Sequence, residues 1–272
     1  FVAYVATLAG TRLVTDLGRP ADWQFAVCDV GQGDATLIRS AGAVALVDTG
    51  PDPALLTACL DELGVDHIQL LVLTHDHLDH VGGVAAVLGR VDRVLVGPAS
   101  DPQNPAIGGA LAAAGAEVDQ VSKGERGTLG ELSWEVLWPG PDGVEPGNPT
   151  SIVLDLEPIG VCARGCLSAV FLADVGEESQ NRILGAGRLA HVDVVKVAHH
   201  GSADQKAELY QVLHATVGLI CVGADNDYGH PTDRLLGILA AVGTAAYRTD
   251  LDGLILVAPT ARPGEVSVWT QR

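Results

Sequence analysis

Four side chains of types that bind transition metals lie close together in the chain. They are His75, His77, Asp79 and His80, and they come shortly after the apolar run 69–73. Imidazole and carboxylate groups are ligands for Zn, Mn or Fe. Since His75 and His77 are two positions apart, an extended chain would point both side chains the same way. The chain has only 9 histidines, so a polar loop with chance histidines explains the cluster poorly, and the segment predicts a metal centre.

Two later strand-like runs end in the same types of side chain. Asp174 follows the run 169–172 and could bridge two cations, although a carboxylate at a strand end is also typical of a helix cap. The adjacent His199 and His200 follow the run 192–197. The residues alone leave open which of these two histidines would be a metal ligand.

Two basic side chains are candidates for contact with a substrate. Lys196 lies in a run that should be a buried strand, where a charge needs a partner or a function. It could meet a substrate phosphate, or form a structural ion pair with Asp29 or Asp48. His230 lies between Gly and Pro, on a loop of restricted geometry. It could contact the substrate or donate a proton, and helix capping is the alternative.

A Gly-rich turn near the start of the chain brings several polar side chains together. Asp29, Gln32 and Asp34 lie between two strand-like runs. The turn is not a P-loop, because no helix and no Lys-Ser/Thr pair follow it. Asp48 ends the next strand-like run, and we expect Asp48 and Asp29 to support the histidine motif from behind.

The rest of the chain alternates strand-like and helix-like runs, which is typical of an α/β protein (α+β in some schemes). Two sheets packed face to face with helices outside would satisfy this order, and we predict a four-layer αββα sandwich. The Pro- and Gly-rich stretch 139–149 is expected to be an active-site loop. Strands are predicted over 24–30, 35–39, 44–48, 69–73, 93–96, 131–137, 152–156, 169–172, 192–197, 217–222, 245–248, 253–257 and 265–269. Helices are predicted over 53–63, 81–88, 105–114, 178–184, 205–213 and 233–241.

The bulk composition limits the kinds of function that the chain can have. Its 272 residues, 47% of them hydrophobic, suit one large α/β domain. Its formal net charge of -18 excludes nucleic-acid binding through a broad basic surface. Any phosphate substrate must therefore be held locally, by metal ions and a few basic side chains.

The amino-terminal residues 1–23 begin with an apolar run, and the sequence starts at Phe and contains no Met. The run is too short to span a bilayer. It could be the cut end of a transmembrane helix or signal segment, or an element packed on the domain. We expect 1–23 to lead into an excised hydrolase domain at 24–272.

The five cysteines fall into two groups. Cys28, Cys59 and Cys221 lie in apolar runs and are expected to be buried thiols. Cys162 and Cys166 flank a turn-like tripeptide. A disulfide between them would indicate an oxidising compartment, and a reduced pair or an incomplete zinc site are the alternatives.

Taken together, these motifs resemble the metallo-β-lactamase superfamily, in the family's order and over about 24–258. The resemblance implies two divalent metal ions, Mn or Zn, and no organic cofactor. It also implies that Asp174 is a bridging carboxylate and that His199 or His200 is the last histidine ligand. The other implied ligands are His75, His77, Asp79 and His80.

A narrower resemblance is to the C-terminal domain of the ComEC family of bacterial competence proteins. It implies a soluble domain of a DNA-uptake membrane channel, on the extracytoplasmic side of the cell membrane. Its partners would be DNA and the channel and OB-fold domains of the same protein. The segments that carry it, beside the histidine motif, are Asp29-Val-Gly-Gln-Gly-Asp34, Asp48-Thr-Gly50, Lys196-x-x-His-His-Gly-Ser202 and Gly229-His-Pro231.

The chain departs from the superfamily at one metal ligand. An additional histidine is expected before the bridging carboxylate, and the segment from Asn148 to Ser151 takes its place. Asn148 could contribute an oxygen or simply turn the loop, so one metal site could be weaker and Mn favoured over Zn. The candidate substrate contacts are Gln32, Asp34, Asn148, Ser151 and Ser202.

The hypothesis that follows is metal-assisted phosphodiester hydrolysis by a deoxyribonuclease that degrades the non-transforming strand during natural transformation. Two neighbouring metals would polarise the phosphate and lower the pKa of a water. The candidate catalytic residues are Asp79, Lys196 and His230, of which the last two could stabilise developing charge or protonate the leaving oxygen. The alternatives are a small-molecule metallohydrolase of the phosphocholine esterase or lactonase type, and a catalytically weak domain that guides DNA.

Overall fold

The computed structural model of the chain describes residues 18–98, 106–140, 146–162, 164–262 and 264–272. Most of the predicted lead-in, 1–23, lies outside these residues. No helix in the described part of the chain is long and apolar enough to cross a bilayer.

The strands of the described residues divide between two sheets. The first sheet holds β1 (Phe25–Val27), β2 (Thr36–Ser40), β3 (Ala43–Val47), β4 (Ile68–Leu73), β5 (Val91–Val96), β6 (Glu117–Gln120), β14 (Ile255–Pro259) and β15 (Val266–Thr270). The second holds β7 (Arg126–Leu129), β8 (Leu132–Trp138), β9 (Val153–Pro158), β10 (Ala169–Phe171), β11 (Val194–Lys196), β12 (Val217–Ile220) and β13 (Ala245–Arg248).

Each sheet contains a parallel part that delivers polar residues at its carboxyl edge. The first sheet has the order β15-β14-β1-β2-β3-β4-β5-β6, and its strands from β3 to β6 are parallel. The second has the order β13-β12-β11-β10-β9-β8-β7, and its strands from β10 to β13 are parallel. The carboxyl ends of parallel strands lie at one edge of a sheet, which is where α/β proteins bind ligands.

The helices that connect these strands begin and end at recognisable residues. The first starts after Asp52, whose carboxylate accepts the Ala54 N–H at 2.7 Å, and ends at Gly64 with a φ of 65°. The α-helices of the described residues are α1 (Pro53–Leu63), α2 (Leu78–Val81), α3 (Ala106–Ala113), α4 (Glu177–Gly185), α5 (Ala207–Leu213), α6 (Asp233–Val242) and α7 (Thr249–Asp252). Short 3-10 helices cover Gly82–Val87, Asn148–Thr150 and Ala198–Gly201.

Three hydrophobic clusters separate four layers. The central cluster lies between the sheets, where Phe25 of the first and Phe171 of the second have ring centroids 5.7 Å apart. A second cluster packs Leu60 of α1 on the outer face of the first sheet, and a third packs Leu209 of α5 on the outer face of the second. Burial of these apolar side chains is the main driving force for stacking the layers. The predicted αββα sandwich is confirmed.

Some elements differ from the sequence predictions. The patterns do not predict β6 and β7, because these edge strands are mostly exposed and lack a continuous apolar face. They also miss the short helix α7. The helix expected over 81–88 is instead α2 followed by a 3-10 helix, at Gly82 and Gly83. A Cβ on Gly83 would overlap the Thr49 carbonyl oxygen, so this close backbone approach requires glycine.

The structure contains two disulfide bonds. Cys162 pairs with Cys166, which agrees with one of the alternatives left open by the sequence. Cys28 and Cys59 also form a disulfide, with a Cα–Cα distance of 5.9 Å. The prediction that these two are buried thiols is therefore wrong, because β1 and α1 bring them together behind the first sheet. Cys221 is a buried free thiol.

Candidate metal centre

The histidine motif forms the turn between β4 and α2. His75 directly follows Thr74 after the strand, His77 is the residue before α2, and His80 lies within the helix. The ring centroid of His75 lies 4.6 Å from that of His77 and 4.1 Å from that of His80. His75 and His80 are buried, whereas His77 is exposed. The turn thus groups three imidazoles beside the carboxylate of Asp79.

Asp48, at the end of β3, fixes the orientation of this turn. Its Oδ1 accepts the Thr74 backbone N–H at 2.8 Å, and its Oδ2 accepts the Thr74 hydroxyl at 2.8 Å. Its Oδ2 also lies 2.8 Å from His80 Nδ1. When a carboxylate holds one ring nitrogen of a histidine, the other nitrogen is free to bind a metal. Asp48 thus holds both Thr74 and the ring of His80.

Asp174 follows β10 and reaches the same point from the second sheet. Its Oδ2 lies 3.3 Å from His80 Nε2 and 3.4 Å from His200 Nε2. His200 Nε2 is in turn 3.2 Å from Asp79 Oδ2. Ligand atoms of these residues all lie within 4.8 Å of one another, which is close enough to share one ion; they are Asp79, His80, Asp174 and His200.

The two adjacent histidines after β11 have different surroundings. Both have a positive φ, 50° for His199 and 51° for His200, so the short turn sends their side chains in different directions. The ring of His200 is buried, and its Nδ1 lies 2.9 Å from the Cys221 carbonyl oxygen, which leaves Nε2 facing the carboxylates. His199 is half-buried, and its Nε2 is 3.9 Å from Asp174 Oδ2. The geometry favours His200 as the ligand.

Three buried ligand atoms at this point have no hydrogen-bond partner: His75 Nε2, His80 Nε2 and Asp174 Oδ1. A buried polar atom without a partner costs free energy, about 1–3 kcal/mol each. Nitrogen and oxygen donors that converge without hydrogen-bond partners fit a divalent transition-metal ion. The residues present therefore suit the group that the sequence predicts.

The charges of these groups also suit a cation. Burial would raise the pKa of Asp174, but His80 and His200 hold it well below its usual range, so the carboxylate is ionised. Burial, with His80 nearby, lowers the pKa of His75 well below its usual value, which keeps that ring neutral. Metal ligands must be deprotonated to bind, and these two groups meet that requirement.

Lys196 forms a buried ion pair with Asp34, rather than with Asp29 or Asp48. Burial would lower the pKa of the lysine, but Asp34 raises it above its usual value. Asp34 Oδ1 also lies 3.2 Å from His200 Nδ1. Asp34 thus supports His200 from behind, much as Asp48 supports the histidine turn.

This arrangement changes two of the expected roles. Asp34 was expected to contact substrate, but it is only 3% exposed and is occupied by the lysine. Asp29 was expected to support the histidine motif, but its Oδ2 pairs with Arg272 at 2.9 Å. Both differences have the same cause, because the Gly-rich turn sends the carboxylate of Asp34 inward and that of Asp29 toward Arg272.

The remaining candidate substrate contacts fall into accessible and buried groups. Ser151 is fully buried and donates to the Asn148 carbonyl oxygen at 2.8 Å, while Ser202 is 5% exposed. Neither hydroxyl is placed to meet a substrate. Asn148 Nδ2 lies 3.1 Å from His199 Nε2, beside the metal ligands. Gln32 Oε1 accepts the Gly223 N–H at 3.2 Å.

His230 lies at the entrance to the site. Its ring centroid is 5.6 Å from that of His199, and the two rings meet edge to face. Asn226 holds its loop, since Asn226 Oδ1 accepts the His230 N–H at 3.1 Å. Partial burial, together with His199, lowers the pKa of His230. The ring is therefore mainly neutral near pH 7.

A comparison with protein families gives this geometry a context. Residues 28–154 match the model of the Metallo-beta-lactamase superfamily. Over these residues the chain is similar to the metallo-beta-lactamase superfamily. The match includes the histidine motif and Asp48, whereas Asp174 and His200 lie beyond it in the chain. A metallo-beta-lactamase fold implies divalent metal ions.

The chain is also similar to curated proteins. It is 27% identical to ComE operon protein 3 of Bacillus subtilis over 267 residues, 89% of this chain and 34% of that protein. It is 27% identical to Competence protein ComA of Neisseria gonorrhoeae over 237 residues, 84% of this chain and 31% of that protein. These relatives are ComEC family proteins, and the chain spans about a third of their length.

Solved structures confirm the fold of the domain. CmlA, a diiron beta-hydroxylase from Streptomyces venezuelae, matches with a TM-score of 0.56 and 20% identity, over 85% of this chain and 53% of that chain. The metallo-beta-lactamase fold protein YhfI from Bacillus subtilis matches with a TM-score of 0.55 and 13% identity, over 90% of this chain and 99% of that chain.

Sequence reasoning missed some residues that shape the site. Thr74 is held by Asp48 through both its N–H and its hydroxyl, and its position next to the histidine motif could have drawn attention to it. The Cys221 carbonyl, which faces His200 Nδ1, could not be found from side-chain types. Tyr228 was also missed, although it lies two residues before His230.

Proposed function

We propose that this chain is a metal-dependent phosphodiester hydrolase that cuts DNA. In this proposal it is a domain of a bacterial DNA-uptake channel and degrades the non-transforming strand during natural transformation. The observation that carries the proposal is the convergence of buried, partnerless nitrogen and oxygen atoms from both sheets on one point. The similarity to competence proteins supports DNA as the substrate.

The ligands would divide between two divalent ions, Mn or Zn. His75 and His77 would hold the first ion, and Asp174 would lie between the two. When bound, the ions would supply Lewis acidity toward the phosphate and a water of lowered pKa. The second ion would be held by Asp79, His80 and His200.

The other polar residues would keep these ligands in place and handle the substrate. Asp48 and the Lys196–Asp34 pair would orient the rings of His80 and His200. Lys196 is then a positioning residue, because its ammonium is buried against Asp34. His230, neutral and at the entrance, would donate a hydrogen bond to the leaving oxygen.

The proposed setting is the extracytoplasmic face of the membrane, within a longer protein. Two disulfides support an oxidising compartment. The partners in this proposal are DNA and the channel and OB-fold domains of the parent protein. The acidic charge of -18 agrees with contact through metal ions rather than through a basic surface.

The test is DNA degradation by the purified chain with added Mn or Zn, beside a His77→Ala/Asp79→Ala variant. His191→Ala is the matched control, because this exposed histidine precedes β11 and so lies at the opposite edge of the second sheet. We expect the wild type and the control to cut DNA and the double variant to fail. Cutting by the double variant would refute the proposed centre.

A small-molecule metallohydrolase, of the phosphocholine esterase or lactonase type, is the second candidate. The net charge of -18 favours it, because a polyanion such as DNA is repelled by an acidic surface. Hydrolysis of small phosphodiesters or lactones without any cutting of DNA would support this candidate. Metal binding with no hydrolysis of any of these substrates would support a domain that only guides DNA.

A further inference from the structure

Tyr228 is an exposed aromatic side chain at the entrance to the candidate metal centre. It lies in the loop between β12 and α6, and 70% of its surface is exposed. A single exposed aromatic residue needs no explanation by itself. The position of Tyr228 relative to the metal ligands is the feature that needs an explanation.

A series of rings connects Tyr228 to the metal centre. Its ring stacks on that of His230, with centroids 5.9 Å apart and an angle of 27° between the planes. The His230 ring meets His199 at 5.6 Å, and His199 Nε2 lies 3.9 Å from Asp174 Oδ2. The His230 ring therefore supports one face of the tyrosine, while the tyrosine remains largely open to solvent. We call Tyr228 and His230 together the stacking platform.

The charges around this platform favour an uncharged partner. The neighbouring Asp225 and Asp227 are both exposed carboxylates, and they would repel a phosphate brought to this loop. The face of a nucleobase carries no net charge and stacks well on an aromatic ring. A strand whose phosphate lies at the metals can place a base over the tyrosine while its backbone stays clear of the two carboxylates.

We infer that Tyr228 stacks on an unpaired base that flanks the scissile phosphate. This inference rests on the proposed function and adds a substrate class to it, a single-stranded nucleic acid. Every base has a π face, so the contact tolerates any sequence. A base inside a duplex is already stacked on its neighbours, so the tyrosine favours strands that are not paired.

The experiment compares Tyr228→Ala, Tyr228→Phe and Tyr228→Leu with the wild type, with Mn added. The readout is the ratio of kcat/KM for a single-stranded oligonucleotide to kcat/KM for bis(p-nitrophenyl) phosphate, which has no base. Leu251→Ala is the control, because Leu251 is also exposed, at 61%, and lies in α7. The same variants are also assayed on an oligonucleotide with abasic positions, which tests whether the loss of activity depends on the base.

We expect the ratio to fall about tenfold in Tyr228→Ala, the size of effect that loss of one base–aromatic stack produces. The Leu variant should fall equally, the Phe variant and the Leu251 control should stay within about twofold of the wild type, and the penalty should vanish on the abasic oligonucleotide. An unchanged ratio in Tyr228→Ala, or a full penalty on the abasic strand, would overturn the inference.

If the wild type cuts no oligonucleotide, binding of the same strand with Mn present, followed by fluorescence anisotropy, separates the two proposals. Weaker binding by Tyr228→Ala than by the wild type would keep the stacking inference while the nuclease proposal fails. Equal binding by the two proteins, or no binding by either, would overturn the stacking inference as well.

Discussion

Replacing Lys196 with Met should reduce stability as well as activity. Lys196 is 2% exposed and Asp34 is 3% exposed, so the substitution leaves a carboxylate buried without its main partner. Breaking such a pair typically costs about 3–5 kcal/mol. His200 still lies 3.2 Å from Asp34, so we expect a loss near the lower limit, about 3 kcal/mol.

The double variant Asp34→Asn/Lys196→Met removes both charges and should recover much of this loss. The pKa of Asp34 provides a second signature. In the wild type the lysine opposes the effect of burial and keeps this pKa below its usual range. In Lys196→Met burial should raise it, so the folded variant binds a proton that the unfolded chain has released. Its stability should then improve relative to the wild type as the pH falls.

The assay is urea unfolding followed by tryptophan fluorescence at pH 7 and pH 5, with initial rates measured in parallel. Lys206→Met is the matched control, because Lys206 pairs on the surface with Glu208 at 3.4 Å and should change stability by less than about 1 kcal/mol. If Lys196→Met unfolds like the wild type but has lost its activity, the reasoning is refuted, and the lysine acts on the substrate.

Three further perturbations follow from the structure. Replacing Cys28 and Cys59 with Ala should lower the free energy of unfolding in urea by about 3.7 kcal/mol, the loop-entropy value for a separation of 31 residues. Equal unfolding midpoints for the variant and the oxidised wild type would contradict this. Asp155 has a pKa raised to about 6 by burial and by a neighbouring carboxylate, so it destabilises the fold as the pH rises above its unfolded value of 3.8. Asp155→Asn should therefore raise the melting temperature at pH 8 and not at pH 4. The corresponding gain in the free energy of unfolding at pH 8 is about 1 kcal/mol after allowing for solvent screening. His200→Ala should lower the number of Mn ions bound, measured by isothermal titration calorimetry, whereas His199→Ala should not; equal losses would mean that both rings bind.

Much of the site could be predicted because its residues follow apolar runs that are recognisable as strands. His75 and Asp174 were located this way, and parallel strands with neighbouring carboxyl ends bring such residues together. The supporting role of Asp48 followed from the same reasoning. Periodicity and strand-end chemistry are local signals, so one sequence contains them.

The contacts that the sequence could not predict depend on the path of the chain in space. Asp29 and Asp48 were the candidate partners of Lys196, but the turn sends Asp34 inward, and the lysine pairs with Asp34 instead. His199 and His200 are the same type of residue, and their surroundings differ because two successive positive φ angles point their side chains to different places. The Cys28–Cys59 disulfide depends on how α1 packs on the first sheet.

The candidate metal centre has its residues in both halves of the chain. His75, His77, Asp79 and His80 follow a strand of the first sheet, while Asp174 and His200 follow strands of the second. A chain that crosses a membrane amino terminus first would display the histidine motif long before β11 exists to complete the centre. Full metal affinity would then arise only in a finished sandwich, and each bound ion would add to its stability by mass action. Uptake of metal would thus mark the moment at which the two halves have joined, and a half-folded chain would lack the complete centre.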